Sequence, residues 1–227
     1  GELTEEVPKC MVSIAGEPLL ARIADTYRQS GVREIHVVTG YAAKKVDLPA
    51  IHYFENREFA DTGEIYSLCQ ARSAIAGNVI ISYGDVLFRK FILHELLDDK
   101  HDITIVVDSR WEESRNAGRA TDYVVCSEPH NRQSFYKQIR LVAVHEAAAS
   151  DTTGEWAGIL KLSARGSQTV IRLMDEISRG PEFRTLSLPL FLNRLIASGA
   201  DVHVQYTRGH WIDVDTVDDV LAASGFS

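Results

Sequence analysis

Residues 79–88 read Val79-Ile80-Ile81-Ser82-Tyr83-Gly84-Asp85-Val86-Leu87-Phe88, VIISYGDVLF. A continuous apolar run that ends in Gly and then Asp is how open α/β sheets carry a polar group to the carboxyl edge of a strand, where ligands bind. Asp85 also has a plainer reading, as a turn residue or a helix N-cap after the strand. A role as a metal ligand needs partners from elsewhere in the chain.

Working outward, helix and strand patterns alternate, which predicts an α/β fold rather than segregated layers. GEPLLARIADTYRQSG places Leu19, Leu20, Ile23, Ala24 and Tyr27 on one helical face and stops at Gly31. EIHVVTG and AIHYF read as short strands, EIYSLCQARSAIAG as a helix from Glu64 to near Gly77, RKFILHELLDD as a helix, and DITIVVDS as a strand ending at Asp108. Strands as apolar as NVIIS and ITIVV require both faces of the sheet to be covered. Further on, TDYVVCSE and EWAGILKLS read as strands, and SQTVIRLMDEIS and LPLFLNRLIASG as helices. ADVHVQY and HWIDVD are closing strands before a last helix from Thr216. The charged segment WEESRNAGRATD has no clear period and reads as a mobile loop over one end of the sheet. With no repeat and no low-complexity linker, residues 1–227 are expected to form one domain.

The 227 residues are 45% apolar, enough for a substantial core. Thirty-two acidic against 24 basic residues give a formal charge of −8 with no Lys/Arg block, which argues against extended nucleic-acid binding. Cys10, Cys69 and Cys126 are too few and scattered for a disulfide framework or a zinc site, so they read as reduced thiols of a cytoplasmic protein. No stretch is long and apolar enough to span a bilayer, and the start GELTEEVPK lacks the pattern of a signal peptide.

Partners for Asp85 stand in HWIDVDTVDD. Residues two apart in a strand point the same way, so Asp213 and Asp215 share a face while Ile212 and Val214 pack behind. With Asp85 they offer the hard oxygen ligands that Mg²⁺ prefers. The plainer reading makes Asp213 a solvated strand residue and Asp215 the cap of the last helix. Lys9 follows Pro8 directly, which stiffens its backbone, and a fixed ammonium there neutralises charge on a phosphate.

PKCMVSIAGEPLLARI, the acid at the end of VIISYGDVLF, and WIDVDTVDDV together resemble nucleotidyltransferases that join a nucleoside triphosphate to a phosphorylated sugar or small alcohol. ENREFADTGEIYSLCQAR, GEWAGILKLS and YTRGHWIDVD are similar to cytidylyltransferase domains of phosphonate biosynthesis, most of all the branch acting on 2-hydroxyethylphosphonate on the way to fosfomycin. The resemblance implies a Rossmann-like nucleotidyltransferase fold, with a mixed, mostly parallel sheet and helices on both faces. It also implies a Mg²⁺-dependent enzyme in which Lys9 and Asp85 act on the phosphates and Asp85, Asp213 and Asp215 hold the metal. Thr62, Gly63 and Glu64 then contact the cytosine of CTP, and Glu155, Trp156 and Lys161 the acceptor. Thr62 as an ordinary N-cap is the plainer reading of that turn.

The substrates implied are CTP and a small phosphonate, 2-hydroxyethylphosphonate ahead of 2-aminoethylphosphonate, with a fused or associated phosphoenolpyruvate mutase. The family opens with a strand and a Gly-rich, Arg-containing phosphate loop. This sequence begins at Gly1, where that loop should end, so both are expected to precede it. Arg110, Arg115 and Arg119 are candidates to close over anions, and His210 beside Trp211 reads as a packed or capping histidine. The alternatives are a phosphocholine or sugar-1-phosphate nucleotidyltransferase, and a catalytically silent nucleotide-binding domain.

Overall fold

The structure, a computed structural model, describes residues 7–117, 119 and 121–226. In chain order the elements are β1 (Ser13–Ile14), β2 (Glu17–Pro18), α1 (Leu19–Gln29), β3 (His36–Thr39), β4 (His52–Glu55), α2 (Glu64–Gln70), β5 (Val79–Ser82) and β6 (Val86–Phe88). They continue as α3 (Lys90–Asp98), β7 (Ile103–Asp108), β8 (Tyr123–Cys126), β9 (Leu141–His145) and β10 (Gly154–Leu162). The last are α4 (Ala164–Ile177), α5 (Leu188–Ala197), β11 (His203–Thr207), β12 (Trp211–Asp213) and α6 (Val217–Ser224). No helix among these residues is long and apolar enough to cross a membrane.

The nine-residue β10 organises the main sheet. One of its sides pairs with β7, and the other with β8 at its start and β5 at its end. β11 extends the sheet beyond β7, and β9 extends it beyond β8. The sheet is mixed, as expected, but not mostly parallel: among the described residues only β11 with β7 is a parallel pair in it. β5, β7 and β11 do share a direction. β10 runs the opposite way between β5 and β7, so those two are not hydrogen-bonded neighbours. A second parallel pair, β3 with β4, forms its own two-stranded sheet.

Helices cover both faces because the buried strands alternate between two cores. Ile103, Ile105 and Val107 of β7 pack with Val170 and Met174 of α4 and with Phe191 and Leu195 of α5. Val106, between them, joins Ile23 of α1 and Leu93 and Leu96 of α3 on the other face. α1 buries the five residues its spacing foretold, and Gly31 at φ +88° lets the Val32 N–H turn back to the Tyr27 carbonyl.

Four local readings are corrected. VIISYGDVLF is not one strand: β5 ends at Ser82, Tyr83-Gly84-Asp85 turns, and β6 leaves to pair with β12. The helix from Glu64 ends at Gln70, with a short 3₁₀ turn over Arg72–Ala74. β9 was not foreseen. The described part of the 111–122 segment is fastened, since buried Asn116 bonds Glu155 and Arg119 bonds Asp219; residues 118 and 120 of that segment lie outside the described residues.

Candidate active site

β5, β7 and β11 end along one edge of the sheet, and the acids collect there. The antiparallel pair β6–β12 sets Asp213 opposite Val86, next to Asp85, and the Val214 N–H donates to the Asp85 carbonyl at 3.0 Å. Ile212 and Val214 are buried behind, which turns Asp213 and Asp215 to the same side. The helix cap is neither acid: Thr216 and Asp219 form a reciprocal capping box at the start of α6.

Lys9 reaches this edge from a short 3₁₀ turn after Pro8, held by Met11 N–H on the Pro8 carbonyl at 2.8 Å. Its ammonium donates to Asp85 Oδ2 at 2.7 Å and to Asp215 Oδ1, and lies 3.5 Å from Asp213 Oδ1. Burial alone would lower the Lys9 pKa, but the charges of Asp85, Asp215 and Asp213 drive it well above the ordinary lysine range. One ammonium does not neutralise three carboxylates. Burial, together with the neighbouring Asp85 charge, pushes Asp213 up to about 7. Asp215 is held below the usual range, because the hydrogen bond and charge of Lys9 override its burial. Asp213 Oδ1 is buried without a hydrogen-bond partner among the described residues. A convergent, hard-oxygen, net-negative cluster with an orphaned acceptor fits a divalent cation such as Mg²⁺.

A cavity of about 290 Å³ opens beside Asp213, walled by Asp108, Arg110, Arg115, Asn116, Arg208 and Trp211, among others. Asp108 is nearly fully buried and ties its walls together: Oδ1 accepts from the Arg110 and Gly209 N–H groups, each at 2.9 Å, and Oδ2 from Trp211 Nε1 at 2.9 Å. Arg110 pairs with Glu113, and Arg119 with the buried Asp219 at 2.9 Å. Arg115 and Arg208 line the cavity with no ion-pair partner among the described residues. Arg208 and Asp108 were not foreseen as site residues. The only signal in the sequence was their place, one at a strand end and the other just before the acids in TRGHWIDVD.

The remaining expected residues scatter. Thr62 is not a cap: its hydroxyl donates to the Glu58 carbonyl and accepts from Asn56 Nδ2. Gly63 caps α2 and touches the chain behind it, where a Cβ would meet the Leu186 carbonyl at 2.5 Å. Glu64 is exposed, and its charge reaches Tyr83 and Asp122. Glu155 sits at the acid edge, yet it is buried, raised in pKa chiefly by that burial, and bonded to Asn116 Nδ2 at 2.9 Å. It positions the cavity wall rather than lining it. Trp156 is core, its indole donating to the Ile159 carbonyl at 3.0 Å. Lys161 pairs with Thr104 near the start of β7, the far edge from Asp108, so it lies away from the acids. His210, at φ +68°, packs its ring edge-on to Phe91.

The profile of the MobA-like NTP transferase domain family matches residues 3–156. The CTP:phosphoglutamine cytidylyltransferase of Campylobacter jejuni subsp. jejuni is 21% identical, over 96% of this chain and 91% of that protein. The bifunctional protein GlmU of Methanococcus maripaludis is 25% identical over 98% of this chain, which spans 50% of that protein's length. The solved inositol-1-phosphate CTP transferase from T. maritima superposes with a TM-score of 0.73 at 17% identity, covering 100% of this chain and 91% of that one. The α/β nucleotidyltransferase fold is thereby established.

Proposed function

The chain belongs to the MobA-like NTP transferase domain family, and from that premise we propose that it is a cytidylyltransferase, moving CMP from CTP to a small acceptor that carries a phosphate or phosphonate. The observation that carries this reading is the meeting of Lys9, Asp85, Asp213 and Asp215 beside a cavity walled by Arg115 and Arg208. An acceptor oxygen forms a bond to the α-phosphorus of CTP as the bond to pyrophosphate breaks, and pyrophosphate leaves with the bonding electron pair. The acceptor is already an anion, so no general base is needed. Asp85, Asp213 and Asp215 would hold Mg²⁺, whose contribution is neutralisation of charge on the phosphates. Lys9 adds a fixed positive charge at the same place. Arg115 and Arg208, exposed where they line the cavity beside the acids, suit the planar recognition of the acceptor's phosphorus oxyanion.

Relatives named for CTP chemistry support the choice of nucleotide, and Thr62, Gly63 and Glu64 are retained as its base-contacting segment. For the acceptor, the sequence resemblance favours 2-hydroxyethylphosphonate. An associated phosphoenolpyruvate mutase is proposed with that substrate and depends on it. The second reading, a phosphate ester acceptor, rests on the relatives' names, phosphoglutamine and inositol-1-phosphate. Pyrophosphate release should be measured with CTP, UTP, ATP and GTP against 2-hydroxyethylphosphonate, 2-aminoethylphosphonate, phosphocholine and sugar phosphates. Expected is a preference for CTP of at least about tenfold, a difference of roughly 1.4 kcal/mol. Equal use of the four nucleotides removes the cytidylyltransferase reading. No pyrophosphate with any pair leaves a silent binding domain.

A further inference from the structure

Residues 110–117 and 119 form a strap along the cavity and contribute Arg115 and Asn116 to its wall. Three buried carboxylates, from three different elements, hold the strap down. Asp108 at the end of β7 accepts from the Arg110 N–H at 2.9 Å, and Glu155 of β10 accepts from Asn116 Nδ2 at 2.9 Å. Asp219 of α6 takes both arms of the Arg119 guanidinium, at 2.9 and 3.3 Å, and is itself completely buried. Four donors converge on its Oδ2: Arg119 Nη1, the Asp215 N–H at 3.1 Å, the Thr216 N–H at 2.9 Å and Thr216 Oγ1 at 2.8 Å. We propose that Asp219 and Arg119 are positioning residues for the transfer reaction, an ion pair that keeps the Asp215 end of the acid cluster and the strap bearing Arg115 in register. This rests on the transferase reading of the site.

Capping α6 does not by itself explain the arrangement. A capping box asks only for the exchange between Thr216 and Asp219. Burying the carboxylate completely adds a desolvation cost, which a guanidinium from 100 residues away offsets. The oxygen that fixes the Asp215 backbone is therefore the oxygen that fixes the strap. A guanidinium gripping both oxygens of a carboxylate sets direction as well as distance, which a lysine ammonium cannot do. Neither Arg119 nor Asp219 lines the cavity, so their effect on substrates passes through Asp215 and Arg115.

The test uses variants of the full chain. Arg119→Met leaves Asp219 buried and unpaired and should destabilise the fold. The deciding variant combines Arg119→Met with Asp219→Asn, which removes both charges and keeps an amide oxygen to cap α6. Its melting temperature should recover most of what Arg119→Met alone loses. Amide exchange should still quicken by about tenfold or more in residues 110–117 and 211–216 together, with the two cores unchanged. KM for the best acceptor of the pyrophosphate assay, 2-hydroxyethylphosphonate being tried first, should rise by about tenfold or more, while kcat falls less than about threefold. Arg119→Lys, which keeps the charge and loses the fork, should lie between wild type and the double variant in both readouts. Ser163→Ala removes the N-cap of α4 and controls for lost stability alone: it should lower the melting temperature and leave exchange in both segments and the acceptor KM unchanged. Wild-type exchange in either segment of the double variant, or an unchanged acceptor KM, overturns the proposal. Absence of turnover by wild type removes the transferase reading instead, and exchange alone then decides whether the ion pair joins the two walls.

Discussion

Two lysines face aspartates at opposite ends of the same strands, and their environments are resolved in opposite ways. Lys161 is buried, and its three N–H donors meet three acceptors: the Asp99 carbonyl at 2.8 Å, Asp99 Oδ2 at 3.2 Å and the His101 carbonyl at 2.7 Å. Asp99 shows the other side of that balance. Burial pushes its carboxyl up, but hydrogen bonds from Thr104, His101 and Lys161 win and hold it near about 2. Lys9 has three carboxylates for one charge, and one of them keeps an orphaned oxygen and a pKa of about 7. A closed set of polar partners maintains the fold, whereas a set left short of positive charge is the kind of arrangement that suits a bound cation. Folding tolerates the second arrangement only because the rest of the molecule, with two packed cores, over-determines it.

The sharpest way to break this contrast is to remove charge from the open set. Asp85→Asn should lower kcat/KM for CTP by on the order of a hundredfold or more, if the proposed Mg²⁺ and the Lys9 ammonium stabilise developing charge by several kcal/mol. Its melting temperature should stay level or rise, because one of three crowded acids has gone. Steady-state pyrophosphate release and thermal unfolding on one preparation give both numbers. Retained activity would return Asp85 to an ordinary turn residue. The converse substitution, Lys161→Met, should cost on the order of 3 kcal/mol of stability, as expected when one partner of a buried pair is deleted. Activity per folded molecule should change less than about twofold, for the acids lie at the other edge. Urea unfolding and turnover well below the transition decide this; lost turnover in a folded protein would place Lys161 in the acceptor site after all.

The sequence revealed the open set far better than the closed one, for a physical reason. Asp213 and Asp215 alternate with apolar Ile212 and Val214, and Asp85 ends an apolar run after a glycine, so period and punctuation expose all three. Lys161 stands in a strand buried along all nine residues, where alternation carries no face information, and its partners lie in a loop some 60 residues away. The same uniform burial hid the fate of Trp156. It also concealed the bulge at Gly158, where φ is +70° and a Cβ would meet the Tyr83 ring at 2.4 Å. Helices were legible because their faces are amphipathic, and strands such as β7 because they are bounded apolar runs. The reversed direction of β10 was not, since pairing partners are set by packing across the chain and not by local pattern.

Asp122 supplies an intermediate case that refines the contrast. It is half-buried at the acid end of the sheet, but it has a single side-chain donor, the Tyr83 hydroxyl at 3.3 Å. Burial pushes its carboxyl up to about 6 against that bond, with Glu64 and Glu146 adding like charge. The folded pKa therefore lies above the ordinary 3.8. The native state holds this proton more tightly than the unfolded chain does, so the group's contribution to stability is complete below the unfolded value and is lost as pH rises through about 6. Asp122→Asn removes the ionisation. Relative to wild type, the variant should gain stability between pH 4 and pH 6.5 by on the order of 1–2 kcal/mol and level off above. Urea unfolding of both proteins across that range measures the difference. A gap independent of pH would mean that Asp122 is not held protonated. A gap that narrowed as pH rose would mean that its carboxylate is stabilised like that of Asp99, which would move Asp122 from the open class to the closed one.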